Sequence, residues 1–393
     1  MEINIVLFWF GRNWGEGRTF QKVAEHLSKI KEVKHVVCMF PPKPVKENVY
    51  AWPLEINRIS RKLMVLSQNR RVVPTSSKPY RLRVWINRYV KEHALLTYLR
   101  MCDFRRENTI LWLFPPHPYL DELIRAIPHR LLVTHIVDNF TKLREDKWLY
   151  DSASVQYPAL QREADVIITG SDYNHQIFSA GRTHCYMFEN AADDAFIGEP
   201  SRLPYLNGAS PRLGYVGTIS QRTDICLLEH VARSRPEWKV LIAGRQELPL
   251  NQRGLLDLPN VQYLGIIPYQ ELPGFIRSLD VCLIPHKNTD YCKSMSPLKL
   301  FQYLASGRPI VSTSIGGLEK LKGYLMIGET YDDFVECIEQ VLREDTEDMS
   351  RRRIEAVKKE TWDNRVQGMF EAVRGCFIEK TGSLSGQDPV THQ

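Results

Sequence analysis

Short apolar runs, each closed by glycine, proline or polar residues and followed by a helix-patterned segment, recur along almost the whole chain. The first, Ile3 to Phe10, leads into Gly11-Arg12-Asn13-Trp14-Gly15-Glu16-Gly17-Arg18 and then a helix expected from about Thr19 to Ile30. Strands are expected again at Val36 to Met39, Thr109 to Phe114, Leu131 to Val137 and Asp165 to Thr169. A second series follows at Leu213 to Val216, Val240 to Gly244, Val261 to Gly265, Val281 to Pro285, Ile310 to Thr313 and Tyr324 to Ile327. Strands that alternate with helices cannot pair as hairpins, so they build parallel sheets covered by helices on both faces. In such sheets a ligand lies beyond the carboxyl ends of the strands. That rule selects the glycine loop at Gly15 to Gly17, Pro115-Pro116-His117 and Asp138-Asn139 in the first series. In the second it selects Gly217-Thr218, Arg222, Arg245 and the Ile266-Ile267-Pro268-Tyr269 turn.

A chain of 393 residues, 43% hydrophobic and 25% charged, has room for two cores. Its eight cysteines lack paired CxxC spacing, which predicts reduced thiols and no structural zinc. The apolar start has no basic region before it and is too short for a secretion signal or membrane span, and no run of 18 or more apolar residues occurs. A cytoplasmic location is expected, peripheral on the inner face of the membrane. The net charge of +6 suits an anionic ligand or an anionic membrane surface. Part of it gathers between Arg58 and Arg106, in Arg58, Arg61, Lys62, Arg70, Arg71, Lys78, Arg81, Arg83, Arg88 and Lys91. There Leu82, Ile86, Tyr89, Val90, His93 and Leu96 predict an amphipathic helix, with Trp85 beside them. Aromatics with cations point to a membrane surface; a core-packed helix with a solvated basic face has the same pattern. No nucleic-acid-binding motif accompanies the charge.

The stretch Ser296-Pro297-Leu298-Lys299-Leu300-Phe301-Gln302-Tyr303-Leu304-Ala305-Ser306-Gly307-Arg308-Pro309 reads as a short helix, with Ser296 as N-cap, Pro297 in the first turn, and Gly307 and Pro309 as the stop. Leu298, Phe301 and Leu304 or Ala305 would face a core, while Lys299 and Gln302 share another face near a helix start that favours phosphate.

This stretch resembles the donor-nucleotide signature of GT-B glycosyltransferases, Pro-Leu-Lys-Leu-x-Glu-Tyr-Leu-Ala-x-Gly-x-Pro-Val-Val. Phe188 to Phe196 similarly resembles the Asn-Gly-Val-Asp-x-x-x-Phe element that closes the first domain of those enzymes. The resemblance implies two Rossmann-like doubly wound domains facing a cleft. An acceptor-side domain would span residues 1–198 and a donor domain 199–361, with a helix over 362–380 crossing back through Trp362, Val366, Met369 and Phe370, and a disordered tail at 381–393. It implies a donor site at Gly217, Thr218, Arg222, Arg245, Ile267, Ser296, Pro297, Leu298, Lys299 and Gln302, and acceptor contacts at Gly15, Glu16, Gly17 and His117.

Sugar transfer from a nucleoside diphosphate needs the departing diphosphate stabilised and, for inversion, a base on the acceptor hydroxyl. No Asp-x-Asp occurs at a strand end, so no metal and no cofactor are expected. Ser294 and Gln302 stand where many relatives carry a Glu-x7-Glu pair, which argues against retention. Asp138 matches the catalytic aspartate of xanthan-type glucuronosyltransferases, which also carry Lys and Gln at the positions of Lys299 and Gln302. The expected activity is therefore an inverting transfer from a nucleotide sugar, a UDP-sugar, to a saccharide or lipid-linked acceptor in polysaccharide assembly. A strand-end Asp that caps the next segment is the plainer role for Asp138. Glu16, His117 and His135 are the rival bases. A retaining enzyme with a degenerate pair, an epimerase of the same fold and a non-catalytic nucleotide-sugar-binding protein are the alternatives.

Overall fold

A computed structural model describes residues 2–9, 14–43, 53–69, 80–201, 203, 210–250 and 254–382. The first sheet contains β1 (Ile3–Phe8), β2 (Val33–Lys43), β3 (Leu54–Arg58), β4 (Leu63–Asn69), β5 (Thr109–Leu113), β6 (Leu131–Ile136), β7 (Val166–Thr169) and β8 (Cys185–Met187). Their spatial order is β3-β4-β2-β1-β5-β6-β7-β8. Every pairing is parallel except that of β3 with β4. The second sheet contains β9 (Arg212–Val216), β10 (Lys239–Ala243), β11 (Val261–Tyr263), β12 (Val281–Ile284), β13 (Ile310–Thr313) and β14 (Met326–Gly328), in the all-parallel order β11-β10-β9-β12-β13-β14.

In each sheet the first strand lies inside, between the second strand and a later one. Successive crossovers there leave to opposite sides, opening a crevice at the carboxyl ends. β1 between β2 and β5, and β9 between β10 and β12, mark the two crevices. Central strands such as β1, β5 and β6 are buried along their whole length, as a sheet covered on both faces requires. One face of the first sheet packs Ile5, Leu7, Trp112 and Val133 against Phe20 and Val23 of the helix Thr19–Leu27. The other face packs Val6, Leu111 and Leu132 against Leu95, Leu99, Tyr157 and Leu160.

The helix Trp362–Gly382 returns from the end of the second half to the first sheet, where Trp362, Val366, Met369 and Phe370 join its core. It runs through Thr381 and Gly382, so those two residues of the expected tail are helical; the rest of that tail lies outside the described residues. Residues 202 and 204–209 of the Gly198 to Arg212 connection, and Arg70, Arg71 and Lys78 of the basic stretch, also lie outside them.

Two departures from the sequence reading matter. The basic stretch contains β4 as well as a helix, and it begins at the last residue of the short edge strand β3, whose residues from Glu55 to Arg58 are all exposed. Among the described side chains of the helix Tyr80–Met101 the buried ones are Leu95 and Leu99, whereas Tyr89 and His93 of the expected apolar stripe are exposed and Leu96 is half-buried. The side chains of Arg81, Leu82, Arg83, Trp85, Ile86, Arg88 and Lys91 lie outside the described residues.

Candidate active site

A cleft of about 850 Å3 lies between the carboxyl ends of the two sheets. Its floor on the second sheet is the turn after β9. Gly217 takes a φ of +149°, and a Cβ there would stand 2.9 Å from Lys299 Nζ. A side chain at this position would push the ammonium aside, so the glycine is what lets strand end and lysine approach.

The helix carrying Lys299 spans Leu298–Ala305 and starts one residue later than expected. Pro297, with an extended ψ of 117°, takes the cap position, and no side chain caps the first turn. Ser296 is not the N-cap, because Asn190 from the first half occupies it: the Asn190 amide N–H donates to Ser296 Oγ at 3.4 Å, and Asn190 Nδ2 donates to the Ser296 carbonyl at 2.5 Å. Gly307 closes the helix at φ +73°, as the sequence predicts.

Lys299 is 9% exposed, with Nζ 4.1 Å from the centroid of the Tyr215 ring and 3.2 Å from His286 Nε2. Burial lowers its ammonium well below the usual lysine range, and Arg222 pushes the same way. Among the described residues neither Lys299 nor Arg222 forms an ion pair with a carboxylate. The Asp138 carboxylate nevertheless acts on Arg222 through space. Gln302, one turn further along, is buried and lines the cleft beside Tyr269.

Asp138 lies on the opposite wall, two residues past β6. The capping role belongs to its neighbour: the Asn139 side chain accepts from the Thr141 amide at 3.2 Å. The Asp138 carbonyl accepts from Tyr157 Oη at 2.9 Å, which leaves the carboxylate to the cleft, with Tyr291 Oη at 3.5 Å from Oδ2. Burial raises the carboxyl above its ordinary range, against the pull of Arg222, Tyr291 and Arg18.

All ten residues expected at the donor site line this cleft, as do Asp138, Gly15 and Glu16. Gly17 and His117 do not. Gly17, at φ +64°, lies against the Tyr269 ring, where a Cβ would be 2.1 Å from Cε2, so its role is close packing of the two halves. His117 is 3% exposed beneath Phe8, its backbone bonded to the Gln156 amide and its Nδ1 accepting from the Tyr119 N–H. Burial lowers that ring to about 4, so it is a neutral core histidine. His135 is likewise buried, stacked on Phe114 at 4.6 Å and held near 3. Glu16 and Arg245 pair directly across the cleft, and Glu16 also accepts from Arg18 at 2.9 Å. Ser294 is fully buried, and its carbonyl accepts from Ser171 Oγ and Asn174 Nδ2 of the first half. Among the described residues no group of three or more His, Cys, Asp or Glu is placed to hold a metal ion.

Sequence reasoning missed His286, Tyr291 and the interlobe role of Asn190. The strand-end rule reaches His286, which follows Ile284-Pro285; Tyr291 has no local signal, since the fold alone brings it across to Asp138.

Two parallel sheets opposed across such a cleft define the GT-B fold, the two-lobed class of glycosyltransferase folds. Residues 210–344, in the second lobe, match the family described as Glycosyl transferases group 1. The putative teichuronic acid biosynthesis glycosyltransferase TuaH of Bacillus subtilis (strain 168) is 30% identical over 203 residues, covering 48% of this chain. The chain spans about half the length of that relative, 51%. Among solved structures, the sucrose-phosphate synthase of Thermosynechococcus elongatus superposes with a TM-score of 0.72 at 14% identity, covering 96% of this chain and all of that one. An S. aureus TarM mutant in complex with fondaparinux, alpha-GlcNAc-glycerol and UDP has a TM-score of 0.56 at 12% identity, covering 73% of this chain and 59% of that one.

Proposed function

We propose that this protein transfers a sugar from a nucleoside diphosphate, a UDP-sugar, to a saccharide or lipid-linked acceptor in polysaccharide assembly, with inversion at the anomeric carbon. The observation that carries the reading is the pair Lys299 and Arg222, two basic side chains in no direct ion pair among the described residues, at the switch point of the second sheet and facing Asp138 across the cleft. A diphosphate supplies the missing negative charge, and a carboxylate on the far wall is placed to receive a proton from an acceptor hydroxyl. The similarity to a protein named for teichuronic acid biosynthesis, and to one solved with UDP, agrees with the choice of substrates.

In this mechanism Lys299 and Arg222 stabilise the charge that grows on the diphosphate as the glycosidic bond breaks. Asp138 takes the acceptor proton as the new bond forms on the opposite face of the sugar. Its raised carboxyl is a stronger base than an ordinary aspartate. Ser294 and Gln302 leave no acid at the positions of the usual glutamate pair, which favours inversion over retention. On this reading Arg222 and the protonated Lys299 meet the charge of the diphosphate in place of a metal.

The test is a screen of UDP-, GDP- and dTDP-sugars for binding and transfer, run with and without EDTA, followed by NMR of the anomeric proton in the product. Transfer that survives EDTA and inverts the configuration is expected. A retained configuration overturns the mechanism, and loss of activity in EDTA that Mg2+ or Mn2+ restores overturns metal independence.

A further inference from the structure

His286 is buried to 1% exposure at the carboxyl end of β12 and lines the cleft. Its backbone is fixed from three sides: its N–H donates to the Ile284 carbonyl at 3.0 Å, its carbonyl accepts from Thr313 Oγ1 at 2.6 Å, and it forms an isolated antiparallel bridge with Thr223. The ring meets Tyr215 edge-on at a centroid distance of 6.4 Å. It therefore has little freedom, and its Nε2 stands 3.2 Å from Lys299 Nζ.

Chemistry then sets the tautomer. Once Lys299 is an ammonium it only donates, so in that state Nε2 accepts and the ring proton sits on Nδ1, a buried atom with no partner. A charged imidazole would place two cations in contact with no anion between them. Burial, Lys299 and Arg222 all hold the ring neutral, in that order of strength.

Lys299 has the complementary difficulty. Its Nζ touches the His286 acceptor and the Tyr215 face, and the Gly217 backbone closes the side below. The titratable groups that face it are Arg222 from the turn after β9, Cys292 from the helix Asp290–Lys293, His286 after β12 and Tyr215 on β9; of these only Cys292 favours the charged form. The protein's own groups around Nζ thus favour the neutral amine over the ammonium.

On the reading that the cleft takes a nucleoside diphosphate, we propose that His286 is a positioning residue that aims Lys299 Nζ into the cleft, and that diphosphate entry is coupled to uptake of a proton by Lys299. A solvent proton completes the Lys299 ammonium, which then donates both to a phosphate oxygen and to His286 Nε2. The sign follows from linkage: in the free protein the Lys299 pKa is depressed, and the diphosphate restores it. Affinity is greatest below the free-protein value and falls as pH rises through it.

The experiment is titration calorimetry with UDP, GDP and dTDP at about pH 8, above the second phosphate pKa of about 6, so that the ligand itself exchanges few protons. Each titration is run in two buffers of different ionisation enthalpy. Net proton uptake is expected in the wild type. It should vanish in Lys299→Arg, whose charge is permanent, while binding persists. His286→Gln can return an acceptor oxygen to the place of Nε2 and should bind nearly as the wild type does; His286→Leu should bind about tenfold more weakly, the loss of one charge-assisted hydrogen bond. Binding without uptake, or equal uptake in Lys299→Arg, overturns the proton coupling. Equal damage from Gln and Leu overturns the positioning role. If none of the three nucleotides binds, the donor-site reading itself fails and the inference falls with it.

Discussion

Burial shifts Asp138 upward and Lys299 downward from their ordinary ranges, and on the proposed reaction the two shifts would serve its opposite ends. Asp138→Asn keeps the shape but removes the base, so turnover should fall roughly 100- to 10,000-fold with donor affinity little changed, measured as kcat against KM. The carboxylate must be ionised to act, and its pKa is raised. The acid limb of kcat/KM should therefore lie above the usual aspartate range, with activity lost as pH falls through it. Tyr291→Phe removes a hydroxyl that favours the ionised form and should move that limb higher still. Lys299→Ala should lower turnover on the order of 100-fold, as for one preorganised electrostatic donor. Wild-type rates in the folded variant would remove Lys299 from the mechanism.

At the scale of elements, the loop Gly15 to Gly17 shows how two nearby glycines differ. A Cβ on Gly15 meets nothing within 4 Å, whereas one on Gly17 runs into the Tyr269 ring. Gly15→Ala should cost only the backbone strain of its positive φ, about 1 kcal/mol. Gly17→Ala should add overpacking of about 1–3 kcal/mol and weaken donor binding, because Tyr269 must move from the cleft wall. Urea unfolding and nucleotide titration of the two variants check this contrast. The same loop shows what periodicity can reveal. The strand, glycine turn and helix were legible because each is written in a few consecutive residues. Contacts such as Gly17 on Tyr269, Asn190 on Ser296 and Tyr291 on Asp138 join residues on facing lobes, and no local pattern encodes them. The edge strand β3 is illegible for another reason: its alternation, Leu54-Glu55-Ile56-Asn57, is too short to mark a strand by itself. The Ser296 cap fails by a single residue: the helix starts at Leu298 with Pro297 in the cap position, and the Ser296 hydroxyl faces the Asn190 N–H of the other lobe instead.

For the whole molecule, the returning helix makes the stability of the first lobe depend on residues far along the chain. Trp362 is 1% exposed in that lobe's core. Trp362→Ala should cost about 3–5 kcal/mol, read as a lower urea midpoint. On the outer face, Leu54, Ile56, Tyr89, Val90 and Met101 line an apolar groove, with Met101 81% exposed and the exposed Arg58 and Arg100 in the same elements. No helix among the described residues is long and apolar enough to cross a membrane. We propose that the groove and these cations would attach the protein to an anionic membrane surface, at about 1 kcal/mol per engaged basic residue. Vesicles rich in anionic lipid should bind the protein at low salt and release it at high salt; unchanged binding after Arg58 and Arg100 are neutralised would exclude this face. The unpaired cations at Lys299 and Arg222 have one more consequence on the proposed reaction. Once the sugar has left, the nucleoside diphosphate carries more negative charge than the donor did, in a site whose attraction grows with that charge. Such a cleft holds its spent carrier more tightly than its fresh one, so the slow event of each cycle becomes letting go, and the enzyme idles wherever the nucleotide accumulates.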